Sequence, residues 1–209
     1  MTTADEAQRL FIAVPVPDDV RMALAATLDP VRRRVGGGRW PASETWHLTL
    51  RFLGDTLPDA VPGIRDAIRA TAASRRPFAA GLGRAGAFER RGGRVAWVGL
   101  DQGDAEVTAL AAELAARLAP AEVNREPIRV HLTIARQAPD GLVPALDAAL
   151  RAARRTGAGT ARVGLDVPLA LGSGRDPLGW MVDRLVLYRS VLGSRGAVHT
   201  ALLEVPLGP

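Results

Sequence analysis

The 209-residue chain contains three histidines, and two of them sit in the same short context: His47 opens HLTL and His131 opens HLTI. A threonine stands two positions after each imidazole, with aliphatic residues in between. In an extended segment alternate side chains point to opposite faces, so His47 shares a face with Thr49, and His131 with Thr133. The aliphatic residues are then free to anchor each strand in the core. Imidazole serves as acid or base near neutral pH. Two imidazoles on opposite sides of one phosphorus suit the opening of a cyclic phosphate, in which a base takes a proton from water and an acid protonates the departing sugar oxygen. The two hydroxyls, with an arginine, can hold the non-bridging oxygens and stabilise the charge that builds during attack. A lone strand histidine is usually structural and a lone HxT is common by chance. A matched pair in a chain with so few histidines calls for a functional reading.

Composition narrows the alternatives. Cysteine is absent, which excludes thiol nucleophiles, disulfide frameworks and thiolate zinc sites. All 27 basic residues are arginine, so no Walker lysine exists. The net charge of +5 favours an anionic partner only weakly, because a modest excess of arginine is often a solvated surface. GLGRAG, residues 81–86, matches GxGxxG, but no helix opens after it and no acidic residue follows in a convincing βαβ unit. It reads as a strand with glycine bulges. The start, MTTADEAQRL, is polar and carries no secretory signal, and no apolar run reaches bilayer length. A cytoplasmic protein is expected.

The elements that must position the two motifs can be placed from periodicity. Strands are expected at 9–17, 45–53, 78–88, 94–100, 129–136, 161–171, 183–191 and 199–205, with a turn at 90–93 between the third and fourth. Helices are expected from Asp18, at 59–73, at 103–118 and at 142–155. In the first of these, Val20, Leu24 and Leu28 recur four apart, Pro30 should end or kink the helix, and 32–39 (RRRVGGGR) should form a mobile, positively charged loop. Adjacent strand pairs that suit antiparallel hairpins favour an α+β fold over a doubly wound parallel sheet. The repeated motif suggests an internal duplication with approximate two-fold symmetry, one HxT motif in each lobe of a single bilobal domain spanning 1–209. Trp40, Trp46, Trp97, Trp180, Phe52 and Phe88 read mainly as core, with base stacking open for Phe88 and Trp97.

RLFIAVPVP from Arg9, TWHLTLRFLG from Thr45, VHLTIAR from Val130 and LYRS from Leu187 together closely resemble the RNA 2',3'-cyclic phosphodiesterases, also called 2'-5' RNA ligases, of the 2H phosphoesterase superfamily. The resemblance covers nearly the whole chain. It implies a bilobal α+β fold with both HxT motifs facing a central groove; the two-imidazole chemistry itself requires no metal or cofactor, and a monomer is expected. It further implies His47 as general acid, His131 as general base, Thr49 and Thr133 as phosphate-binding residues, and Arg136 as a basic residue that orients the ring or phosphate. The substrates implied are RNA ends or nucleotides bearing a 2',3'-cyclic phosphate, with weak 2'-5' ligation as the reverse reaction and no membrane partner. Two positions depart from the pattern: Ile12 follows Phe11 where many relatives have a second aromatic, and His199 stands where they often have tyrosine. Other readings stay open: a related phosphodiesterase for another small cyclic phosphate, a zinc hydrolase built on His47, His131 and His199, and a binding module for RNA or nucleotides without turnover.

Overall fold

The computed structural model describes residues 6–118, 129–156, 176–193 and 196–209. The opening apolar run forms β1 (Gln8–Pro15), in which Leu10, Ile12 and Val14 enter the main hydrophobic core while Phe11 and Ala13 are buried on the opposite face. Next comes α1 (Asp18–Val35), with Asp18 and Asp19 in its first turn and Val20, Leu24, Leu28 and Val31 along its buried stripe. The helix does not end at Pro30. Val31 extends the buried stripe, Arg33 pairs with Asp29, and Arg32 to Arg34 sit in the last turn, where cations suit the negative end of the helix dipole. The expected loop at 32–39 is therefore half helix. Its glycines turn the chain: Gly36, Gly37 and Gly38 have φ of 65°, 65° and 71°, a conformation costly for any residue with a Cβ.

β2 (His47–Thr56) begins on the first histidine, and α2 (Val61–Ala73) follows. β3 (Phe78–Phe88) and β4 (Val95–Gln102) form the expected hairpin. The register between them shifts at Gly81, Leu82 and Arg84, so the glycine-rich segment is a bulged strand, as read from the sequence. The second motif follows α3 (Asp104–Leu118), and β5 (Leu132–Arg136) starts one residue after His131. α4 (Leu142–Thr156), β6 (Gly179–Val182), β7 (Arg184–Gly193) and β8 (Gly196–Pro206) complete the chain. The expected strand at 161–171 lies outside the described residues, and β6, too short to register as a periodic pattern, was not expected.

The strands form two four-stranded sheets, in the orders β2-β1-β7-β8 and β5-β4-β3-β6, with antiparallel pairing throughout. This is the α+β architecture expected. Each motif strand is an edge strand, and the two edges, β2 and β5, touch. The duplication also shows in connectivity: β1-α1-β2-α2 is matched by β4-α3-β5-α4. The first helix of each unit packs on the second helix of the other, α1 against α4 and α3 against α2, so the units interlock around one continuous core. Among the described residues no helix is long and apolar enough to cross a membrane.

Candidate active site

Alternation holds at both motifs. Leu48, Leu50, Leu132 and Ile134 are fully buried in the core, and His47, Thr49, His131 and Thr133 take the other face. Thr49 is buried, whereas Thr133 and both imidazoles are half-buried. The rings are held alike. Nδ1 of His47 lies 2.7 Å from the carbonyl oxygen of Thr45, and Nδ1 of His131 lies 2.7 Å from that of Arg129, in each case two residues back. A carbonyl only accepts, so Nδ1 carries the proton and Nε2 is left as the nitrogen available for proton transfer.

Each motif strand then bulges at the same place. Thr49 pairs with Ala13 and Arg51 with Ile12, leaving Leu50 as the extra residue; Thr133 pairs with Trp97 and Ala135 with Ala96, leaving Ile134. A bulge resets the alternation, so the fifth residue after each histidine returns to the site face. That residue is Phe52 in one strand and Arg136 in the other. Arg136 thus joins the face of His131 and Thr133. Its backbone is pinned by a bridge to Arg39, with N–H to carbonyl distances of 2.7 and 2.8 Å, so the triple-glycine turn serves to fasten the end of β5.

The surroundings of the two imidazoles differ. On the His47 side Phe11 forms the centre of an aromatic cluster, its ring 4.6 Å from His47, 4.9 Å from His199 and 5.1 Å from Tyr188, the last in a stacked arrangement. His199 meets His47 edge-on at 5.2 Å, and Phe52, 53% exposed, borders the cluster at 6.3 Å from Phe11. On the other side Phe88 meets His131 edge-on at 4.8 Å and stacks on Trp97 at 5.4 Å. Arg90 and Arg129 lie over the Phe88 ring at 5.7 and 5.8 Å from its centre. Trp46 is core, as expected, and Trp40 and Trp180 pack against it.

Electrostatics follow from these contacts. Burial pushes His47 from its ordinary 6.5 down to about 4; the Thr45 carbonyl opposes this, and the other two histidines add to it. His131 is lowered too, first by burial and then by the positive charges of Arg136, Arg90 and Arg129. The two imidazoles are close enough for His131 to disfavour charge on His47. Burial lowers His199 and raises Tyr188. Among the described residues, which include all three histidines, no three His, Asp or Glu side chains converge as metal ligands would.

Sequence reading missed the Phe11, Tyr188 and His199 cluster around His47. Its signal was present: Leu10, Ile12 and Val14 alternate with Phe11, and Leu185 and Leu187 precede Tyr188, so both aromatics fall off the core face of their strands.

Known proteins resemble this chain in sequence and fold. The family description "2'-5' RNA ligase superfamily" matches residues 20–193. A protein named RNA 2',3'-cyclic phosphodiesterase from Geobacillus stearothermophilus is 31% identical over 130 residues, which are 61% of this chain and 41% of that relative's length. A protein of the same name from Thermus thermophilus is 29% identical over 210 residues, covering 95% of this chain and 90% of the relative. The crystal structure of TT0787 of Thermus thermophilus superposes with a TM-score of 0.68 at 26% identity, over 95% of this chain and 97% of that one. E. coli LigT in complex with 3'-AMP shares the fold, with a TM-score of 0.68 at 22% identity over 98% of this chain and 100% of its own.

Proposed function

The chain belongs to the 2'-5' RNA ligase superfamily, and from that membership and its paired imidazoles we propose that it opens 2',3'-cyclic phosphates at RNA or nucleotide ends, leaving a 2'-phosphomonoester, without a metal ion. The observation that carries this reading is the matched pair of histidines on touching edge strands, each with Nδ1 anchored to its own backbone and Nε2 left for proton transfer. The names of the Geobacillus and Thermus relatives support it.

In the proposed step His131 Nε2 takes a proton from water as the water oxygen bonds to phosphorus. The bond from phosphorus to the 3' oxygen breaks, and that oxygen takes the proton from His47 Nε2. Thr49 and Thr133 hold the non-bridging oxygens, and Arg136 offsets the charge that grows on them. Two-fold symmetry of the motifs alone does not say which imidazole is acid; the acid label of His47 and the base label of His131 rest on the resemblance of the two motifs to those of the family. With a 5'-hydroxyl end in place of water as the nucleophile, the same ring opening would form a 2'-5' linkage, a minor activity in water.

The test is the position of the product phosphate. Incubation with a 2',3'-cyclic mononucleotide in excess EDTA should yield the 2'-phosphomonoester, identified by phosphorus NMR. A 3'-monophosphate product would mean that the acid and base act from exchanged sides.

A further inference from the structure

Two arginines beside His131, Arg90 and Arg129, are held by an aromatic ring rather than by a carboxylate among the described residues. The two carboxylates near the turn between β3 and β4 are both taken by one residue, since Arg94 binds Glu89 at 2.7 Å and Asp140 at 2.8 Å. Arg90 and Arg129 are exposed and make no ion pair among the described residues. Both lie instead over Phe88, which is itself backed by Trp97. Trp97 can lie across β3 because position 86 is glycine, where a Cβ would run into the indole. The result is a stack of indole, phenyl and guanidinium layers that orders two flexible cations at one edge of the site.

Among the described residues the rings beside His47 are Phe11, Tyr188 and His199, without a like arrangement of guanidinium on phenyl. A site that needed only to hold one cyclic phosphate could be served by the paired threonines and Arg136. Two further guanidinium groups, ordered on a ring that meets His131, form a second anion site beside the first.

Building on the phosphodiesterase reading, we propose that Arg90 and Arg129, ordered on Phe88, bind the phosphodiester on the 5' side of the reacting nucleotide, so that the site takes an oligonucleotide end in preference to a free mononucleotide. Arg94 serves by drawing off the local carboxylates. The aromatic cluster around Phe11 then lies on the side of the groove away from the incoming strand.

The test compares kcat/KM for a 2',3'-cyclic mononucleotide with that for a trinucleotide ending in the same cyclic phosphate, in the intact protein and in the Arg90→Gln/Arg129→Gln double variant. The intact protein should favour the trinucleotide by about tenfold or more, and the double variant should lose most of that preference; trinucleotide turnover should also become less sensitive to salt. Both side chains are exposed, and circular dichroism melting would show that the variant folds. An unchanged preference in the variant, or equal losses on both substrates, would overturn the subsite. If the intact protein turns over both substrates without preference, the subsite fails while the phosphodiesterase reading stands. If it turns over neither, both fail.

Discussion

At the scale of single residues, the two imidazoles begin from the same neutral state. Each keeps its proton on Nδ1 against a backbone carbonyl, and each is held below its ordinary pKa by burial. The proposed catalysis by one acid and one base then draws on a minor form of the free protein, with His47 protonated and His131 neutral. The profile of kcat/KM against pH, which reports the free protein, should therefore be bell-shaped with its maximum on the acid side of 6.5. The kcat profile reports the complex, where a phosphate anion favours the charged form of both imidazoles, and its maximum should lie at higher pH. A kcat/KM that is level from about pH 4 to pH 8 would be incompatible with paired titrating groups. His199 stands edge-on to His47 and shares its aromatic surroundings, so it bears on the field at His47.

At the scale of elements, the bulges at Leu50 and Ile134 decide which side chains reach the site. Strict alternation was enough to pair His47 with Thr49 and His131 with Thr133, and the sequence reading got that far. Alternation alone would turn Arg136 into the core, and only the bulge brings it back. Nothing in HLTIAR announces a bulge, because the inserted residue is an ordinary isoleucine that buries well. The extension of α1 past Pro30 was hidden for a similar reason: the local cost of proline is visible in the sequence, whereas the burial of Val31 in the core is a tertiary gain. Glycine gave the clearer signal. At Gly86 any Cβ would meet the Trp97 indole, a bulky ring that is not free to swing aside. Gly86→Ala should cost about 1–3 kcal/mol of stability, as overpacking does, and should raise Trp97 fluorescence exposure to a quencher. Unaltered urea midpoint and quenching would mean that the indole does not depend on that gap.

At the scale of the whole molecule, two interlocked β-α-β-α units share one core and bring their motif strands together at the sheet edges. Placing a histidine there has a cost for folding. His47 titrates at its ordinary 6.5 when unfolded and at about 4 when folded, so the unfolded chain binds the proton more tightly. Its contribution is complete above pH 6.5 and declines as the pH falls toward 4, a loss of about 3 kcal/mol. His131 and His199 are lowered as well and act in the same direction. Urea unfolding measured across that range should show the decline, and His47→Asn should flatten it; a slope equal in the two proteins would mean that His47 is not buried as described. The central claim, that two imidazoles on touching edges carry the reaction without a metal, is tested most directly by kcat/KM on a 2',3'-cyclic nucleotide in excess EDTA, for the intact protein and for His47→Ala and His131→Ala. Full turnover by the intact protein is expected, with a loss of about a hundred to ten thousand fold in each variant, the range for a general acid or base. Loss of turnover on chelation, or near-normal turnover in either variant, would contradict it.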